Sequence, residues 1–425
     1  MRLENYIKNS QWSGVISLGI GTVVAQLINI IIQPLLTRMI TPEELGVYSF
    51  IISMANLIIP VASLKLSMLI VVDGEDDNAE LLTDVSILTV FLVTFIYTIF
   101  LVIMMFVGNN SFYEIGFLSF LIPLIILTNG VRFIFVNHNN RYMKYSLISR
   151  VDILRESLKG FIQVTSGFLG GGVFGQAFGY AVSPALGLKI QARDYMIRLK
   201  KRDKITLKEV LSIYIKNKKH ILYLVPAQFI NSFSYALITM SVISLFSARE
   251  AGYYSISFMV LGLPLVLISN NVSRVFLQKL GSDFREGKSV WKNYISFIKI
   301  LGIISILGFS LLAIIAPKVS ELIFGLGYEE AGRYITILCF MYALRFIASS
   351  LIGGYVVFNK QKMDTIFQTL LVLSGVAIHY LTKIFFLNIY EYLGLISITY
   401  GIVYLLIIIN LGFICKKHSG NQNNL

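Results

Sequence analysis

Apolar residues along this 425-residue chain come in unbroken runs of about twenty, parted by short polar segments, with no sustained two-residue alternation. A run of that length is what a helix rising 1.5 Å per residue needs to cross about 30 Å of hydrocarbon. Such runs begin near Gly14, Gly46, Val85, Ile115, Val151, Val173, Ile221, Gly252, Ile295, Gly332, Thr365 and Tyr392. The fifth and sixth meet at Gly170-Gly171-Gly172, the least defined boundary of the series. The pattern predicts an all-α integral membrane protein of twelve transmembrane helices. The first run is roughly 23 residues long, exceeds a signal-peptide core, and has no small-residue cleavage site, so it is expected to stay as the first helix.

The charges between the runs supply an orientation. With the N-terminus placed inside, the alternate inner segments carry 24 Lys and Arg, whereas the outer loops carry only Arg38, Arg249 and Lys318. Positive charge is retained on the cytoplasmic side, so both termini are expected there. The expected organisation is an N-terminal six-helix lobe over 1–200, a basic linker helix over 201–220, a C-terminal six-helix lobe over 221–414, and a cytoplasmic tail over 415–425. In the linker, Thr206 and Glu209 have capping-box spacing ahead of an amphipathic stretch. That stretch suits a helix on the cytoplasmic headgroups, and its cations equally suit a purely topological role.

Composition agrees: 56% of residues are hydrophobic, mean hydropathy is +0.74, and only 14% are charged. A soluble domain carries about a quarter charged residues. The net charge of +13 would suggest nucleic acid in a soluble protein, but its placement between apolar runs assigns it to topology, and no nucleic-acid partner is expected. Cys339 and Cys415 are too few and too separated for a disulfide framework or a metal site, and no cofactor is expected.

The chain also repeats itself. Thr41-Pro-Glu-Glu44-Leu-Gly46-Val-Tyr48-Ser49 follows the first run and Ser247-Ala-Arg-Glu250-Ala-Gly252-Tyr-Tyr254-Ser255 follows the seventh, 206 residues on. Each reads as a capping box opening the next helix. Pro60 and Pro264 then fall at similar depth, and Asn139 and Asn359 close the fourth and tenth runs. An even number of helices per copy gives both copies one orientation, related by an axis along the membrane normal around a central cavity.

The segment Gln33-Pro34-Leu35-Leu36-Thr37-Arg38-Met39-Ile40-Thr41-Pro42-Glu43-Glu44-Leu45-Gly46-Val47-Tyr48 resembles the first interhelical segment of Wzx-type O-antigen and polysaccharide flippases. These belong to the multidrug/oligosaccharidyl-lipid/polysaccharide (MOP) exporter superfamily. Length, helix count, basic central loop and repeat extend the likeness over the whole chain. The resemblance implies a V-shaped, MATE-like two-lobed fold with a cationic lumen. It implies translocation of an undecaprenyl-diphosphate-linked oligosaccharide across a bacterial inner membrane, for O-antigen, lipopolysaccharide, capsule or exopolysaccharide synthesis. A polymerase and a chain-length regulator are the partners it implies, beside membrane lipids. The drug antiporter branch commonly places an acidic residue in its first helix; the run from Gly14 to Leu36 has none.

A diphosphate and sugars must be met by cations and polar groups if they are to pass hydrocarbon, so deep cations are the candidate substrate-binding residues. Arg345 lies far from both ends of its run. Asp152, Arg155, Glu156, Lys159 and Gln163 recur at helical spacing as one polar stripe, which either faces the lumen or pairs with itself at i,i+3. Lys65 is within snorkelling reach of its helix end. His379 and Lys383 share a face at i,i+4. Glu156 and His379 are the candidates for ion coupling, with a satisfied interhelical histidine as the alternative for His379. Arg38, Arg132, Lys299 and Arg333 are expected at the interface. Gly171, Gly175, Gly179, Ser183 and Gly187 recur every fourth residue, a helix-packing stripe. The 23 tyrosines suit an interfacial aromatic belt, with sugar stacking as a second possibility for some.

Three functions compete on these observations. A lipid-linked oligosaccharide flippase suits the cationic deep charges. A cation-coupled multidrug antiporter of the same fold would suit an anionic cavity. A polysaccharide polymerase or ligase generally has a large extracytoplasmic loop, whereas the longest outer loop here is about 15 residues. No enzymatic motif stands out, and the chain is expected not to be an enzyme.

Overall fold

The structure is a computed structural model that describes residues 10–107, 115–200, 202 and 205–420. Arg2, Lys8, Lys201 and Lys204, which entered the charge count, lie outside them, as does the end of the expected tail. The described residues are almost entirely helical, with no strand among them.

The chain divides into two compact units, residues 1–232 and 233–425. The first contains α1 (Ser10–Thr37), α2 (Pro42–Ile58), α3 (Leu66–Val72), α4 (Asp76–Phe106), α5 (Leu121–Arg141), α6 (Tyr145–Phe168), α7 (Gly172–Gln191), α8 (Arg193–Leu199), α9 (Leu207–Lys216) and the first part of α10 (Lys218–Leu245). The second contains the rest of α10, then α11 (Ala248–Pro264), α12 (Asn270–Arg285), α13 (Val290–Phe324), α14 (Glu329–Leu351), α15 (Gly354–Val357), α16 (Gln361–Phe385) and α17 (Ile389–Gly420). The dividing point lies inside α10, so α9 and the start of α10 belong with the first unit.

Ten stretches among the described residues are long and apolar enough to cross a membrane. The other two expected spans, α6 and α7, are helices of 24 and 20 residues that miss that level of apolarity. Glu156, Lys159 and Gln163 of α6 and Gln176 of α7 are nevertheless buried. On α13, Ile300, Ile303, Leu307, Leu311 and Ile314 are exposed at helical spacing while Ser305 and Ser320 are buried. On α4, Leu88, Leu92, Phe95 and Ile99 are exposed while Thr83, Ser86 and Thr89 are buried. Apolar outside and hydroxyl inside is the reverse of a soluble protein, and it is stable only where lipid covers the outer face. The protein is a multi-pass membrane protein.

Each unit is built around the fourth of its long apolar stretches. In the first, α5 touches α2, α3, α4, α6 and α7; in the second, α14 touches α11, α12, α13 and α17. The repeat motif opens α2 and α11, with a difference between them. Thr41 accepts from the Glu44 amide and Glu44 accepts from the Thr41 amide, a full capping box. Ser247 accepts from the Glu250 amide, but the Glu250 carboxylate accepts instead from the Tyr334 hydroxyl, tying α11 to α14. The helices also close differently from the asparagine reading. Asn139 lies inside α5, buried, donating to the carbonyls of Phe135 and Gln191. The left-handed residue after α5 is Met143 (φ 54°), matched by Asn359 (φ 53°) after α15. In both, the next amide returns to a carbonyl five residues back, Lys144 to Asn139 and Lys360 to Tyr355, a Schellman-type closure.

The linker is tied down rather than loose. The Glu80 carboxylate of α4 is buried against His138 (3.0 Å) and Arg198 (2.8 Å), and Asp84 holds Arg202 (2.9 Å) and Tyr195 (2.6 Å). Two of the ten cations between Gln191 and His220, Arg198 and Arg202, are therefore partners of carboxylates on α4, not topological signals alone. Helix α9 opens with the expected capping box at Thr206 and Glu209. It is anchored by buried Ile213 and by Tyr214 on Thr89 (2.6 Å), with Leu207, Leu211 and Ile215 exposed.

The small-residue stripe is a packing surface, as expected. A Cβ at Gly175 would meet Ser166, one at Gly179 would meet Gln163, and one at Gly187 would meet Val151, so α7 lies close against α6. Gly332 fills the same role in the second unit: a Cβ there would stand 2.5 Å from the Ala316 carbonyl oxygen and 2.7 Å from Pro317 Cα. Backbone cannot yield as a side chain can, so Gly332→Ala should destabilise the protein by about 1–3 kcal/mol. Gly302→Ala, with nothing within 4 Å of its Cβ, should be neutral or stabilising. Thermal unfolding in detergent measures both; equal melting temperatures for the two variants would refute the close approach of α13 and α14.

Candidate functional site

The two deepest clusters of charge and aromatic residues lie one in each unit. In the first unit the stripe of α6 turns inward. Lys159, 6% exposed, pairs with Glu156, donates to Asn29 Oδ1 of α1 (3.1 Å), and lies 5.8 Å from the Tyr180 ring centroid on α7. Arg155 pairs with Glu156 and approaches Asp152 at 4.0 Å. Gln163 donates to Tyr48 Oη (3.2 Å) and to the Gln176 carbonyl (3.0 Å), and Gln176 returns a bond to the Gln163 carbonyl (3.2 Å). Both i,i+3 pairs expected from the spacing are present.

A further member was misplaced by the sequence reading. Arg132 was expected at the interface; it stands in the middle of α5, only 15% exposed in its side chain, and holds Asp152 at 2.9 Å. The apolar run ends at Val136, four residues beyond Arg132, but α5 continues to Arg141, and that polar last turn is what places Arg132 in mid-helix. With it, the cluster contains three cations (Arg132, Arg155, Lys159) and two carboxylates (Asp152, Glu156), one positive charge in excess. The Nε atoms of Arg132 and Arg155 are buried with no hydrogen-bond acceptor. The cluster thus combines surplus positive charge with unused donors, which suits an anion or a sugar hydroxyl.

Lys65 is not inside a continuous helix. Pro60 cannot donate an amide bond, and after the 3₁₀ turn at Ile59–Val61 the chain passes through left-handed Leu64 (φ 49°) and Lys65 (φ 63°) before α3 begins. Its ammonium donates to Gln228 Oε1 (2.8 Å), and its carbonyl accepts from His220 Nε2 (3.3 Å). The side chain is anchored at the break rather than extended along a helix face.

In the second unit Arg345 lies near the middle of the Glu329–Val357 stretch, as its position in the run suggested. Its guanidinium stands 4.2 Å from the Tyr235 ring centroid and 5.1 Å from that of Tyr342. Tyr254, Tyr400 and Tyr404 are buried close by. Among the described residues no carboxylate pairs with it. The ring faces lower the energy of the cation, yet they leave its net charge uncancelled.

Twelve of the 23 tyrosines are buried inside the protein, so an interfacial belt does not explain most of them. No sequence signal separated the cage tyrosines from the rest, because their convergence depends on how α10, α11, α14 and α17 pack.

His379 and Lys383 are not part of either cluster. His379 shares a hydrogen bond with Ser241 Oγ (3.0 Å), the satisfied interhelical contact of the alternative reading. Lys383 is exposed, two residues from the end of α16. Arg333 is exposed and pairs with Glu330 at 2.9 Å, near a helix start as expected.

A family model described as "Polysaccharide biosynthesis protein" matches residues 35–333. No curated protein sequence matches the chain significantly. Among solved structures, the lipid II flippase MurJ in an inward closed conformation superposes with a TM-score of 0.70 at 15% identity, covering 96% of this chain and 90% of that one. An inward-facing multidrug resistance MATE family transporter of the MOP superfamily gives 0.67 at 14% identity, covering 97% and 99%. A MOP superfamily transporter from Pyrococcus furiosus, described as having a binding pocket of reverse polarity, gives 0.60 at 14% identity, covering 96% of each chain. At these identities the likeness is one of fold.

The polar stripe of α6 yields a test of its own. Removing one member of a buried ion pair costs about 3–5 kcal/mol, because the other charge is left uncompensated. Glu156→Gln should therefore lower the yield and melting temperature of the purified protein, while Glu156→Gln combined with Lys159→Met should recover most of the loss. A single variant as stable as the parent would show that the stripe does not depend on its own pairing.

Proposed function

Since this chain belongs to the polysaccharide biosynthesis protein family, we propose that it is a flippase moving an undecaprenyl-diphosphate-linked oligosaccharide across the bacterial cytoplasmic membrane by alternating access. The observation that carries this reading is Arg345, a deep guanidinium held by tyrosine faces and matched by no carboxylate among the described residues. A fixed cation of that kind suits a substrate bearing two phosphates. The surplus positive charge and unused guanidinium donors around Lys159 support the same substrate class, with Arg155 and Lys65 as further contacts and Glu156 as a group able to couple to ions. Lys383 and His379 have weaker support, one exposed and the other bonded to Ser241.

In this reading the chain has twelve spans, the ten apolar stretches together with α6 and α7, and both termini are cytoplasmic. The product is a surface polysaccharide such as O-antigen or capsule, with a polymerase and a chain-length regulator downstream.

Deletion of the gene, with a plasmid copy as control, tests the reading. The expected result is loss of surface polymer with its lipid-linked precursor held on the cytoplasmic face. Unchanged polymer together with altered sensitivity to toxic cations would replace this reading by a multidrug antiporter. Lost polymer with precursor already on the outer face would replace it by a polymerase or ligase.

Arg345 has its own outcome. Arg345→Ala, inserted at the normal level, should lower polymer export at least tenfold, the equivalent of about 1.4 kcal/mol. Arg345→Lys keeps the charge but loses the planar stacking, and should fall between. Full export by Arg345→Ala would refute its role.

A further inference from the structure

One end of the second unit gathers features that the flippase reading does not use. The ends of α12, α15 and α17 and the start of α13 meet there. Phe284 packs on Phe358 (5.3 Å between centroids), Phe358 on His418 (4.7 Å), and the Trp291 amide donates to Ser419 Oγ (3.0 Å). Beside this aromatic cluster, between α12 and α15, is a groove of about 580 Å³. Leu277, Phe284, Val356 and Val357 form its walls, with Gln278 and Arg285 as its polar groups and Gly281 as its floor. Leu277 and Val356 are exposed, so the apolar wall has no protein cover among the described residues.

Arg285 lines the groove, and the helix ends that meet here carry further cations. Arg285, Lys292, Lys360, Lys362, Lys416 and Lys417 are all exposed, and none pairs with a carboxylate among the described residues. The acids nearby are already engaged. Asp283 is buried and bonded to Lys279 and Asn293, and Asp364 accepts from Gln368. Glu286 accepts from Lys288 and Ser282, whose bonds hold its carboxyl down to about 2. What is left to a visitor is positive charge beside an apolar slot.

We propose that this groove is a binding site for an anionic phospholipid of the cytoplasmic leaflet, its phosphate met by Arg285 and the lysines of these helix ends and its acyl chain laid along Leu277, Val356 and Val357. The charge complementarity decides the occupant: a neutral lipid would use the walls but not the cations, and a soluble anion the cations but not the walls. Basic pockets at the cytoplasmic ends of membrane helices recognise anionic headgroups on this principle. The leaflet rests on the cytoplasmic C-terminus proposed above; the binding chemistry does not.

Native mass spectrometry of the purified protein with phosphatidylglycerol, phosphatidylcholine or undecaprenyl phosphate added in turn tests the site. The parent should retain phosphatidylglycerol at least threefold better than phosphatidylcholine. Arg285→Gln with Lys360→Gln should remove that preference. Gly281→Leu should fill the slot instead, because a Cβ there meets only Arg285 Nη1 at 3.6 Å and Val357 Cγ2 at 4.0 Å, ordinary contacts. Lys318→Gln serves as a control. Equal retention of the two phospholipids by the parent, or undiminished phosphatidylglycerol on both variants, would overturn the site. Preference for undecaprenyl phosphate over phosphatidylglycerol would overturn the phospholipid assignment. Labelling of a Lys417→Cys variant from outside intact cells would overturn the leaflet. Binding is read on purified protein, so it succeeds or fails independently of the polysaccharide assay.

Discussion

A charge inside hydrocarbon has no water to fall back on, so whatever balances it must come from the protein or from the cargo. That constraint organises both units. In the first, the stripe of α6 would be untenable against lipid, and it is resolved by turning the stripe toward α1, α2, α5 and α7, where Asn29, Tyr48, Arg132 and Tyr180 meet it. The close approach of α7 through its glycines is what brings those partners within reach. In the second unit, a guanidinium is accommodated by aromatic faces, which stabilise a cation without neutralising it. One device balances charge nearly to completion, and the other leaves it available.

The same constraint explains which features were legible in the sequence. Hydrocarbon imposes a length on every span, so the runs and their approximate limits could be read directly. Helices nevertheless start earlier than the runs, at Pro42 rather than Gly46 and at Asp76 rather than Val85, because polar and anionic residues belong in a first turn where amides are unpaired. The paired charges of α6 were legible because i,i+3 contacts lie within one helix. Arg132 was not, because its apolar run stops short of its helix, and most of the tyrosines around Arg345 were not, since Tyr235, Tyr254, Tyr400 and Tyr404 come from other helices. Lys65 was misread for a local reason: a proline followed by two left-handed residues cannot be told from an ordinary proline kink by apolar pattern alone.

The linker illustrates a different limit. Its basic composition suggested orientation and headgroup contact, and both remain compatible with its exposed residues. Composition could not reveal that Glu80 and Asp84 bind Arg198 and Arg202 across more than a hundred residues of chain. A charge count records how many cations a segment has, and it is silent on how many remain uncommitted. The distinction matters again in the second unit, at the groove between α12 and α15, where the acids are engaged and the exposed cations are not.

The paired breaks after α2 and α11 have one more consequence. They fall at positions 206 residues apart, Ile59 and Leu265, yet one is a 3₁₀ turn and the other a π turn. The first winds more tightly than an α-helix and the second more loosely. Residues that follow the two breaks are therefore rotated differently about their helix axes, although they occupy matching places in the repeat. Two stretches that open on the same capping motif therefore do not present the same surface after their breaks. The likeness between the two stretches ends where their winding diverges, at Ile59 and Leu265.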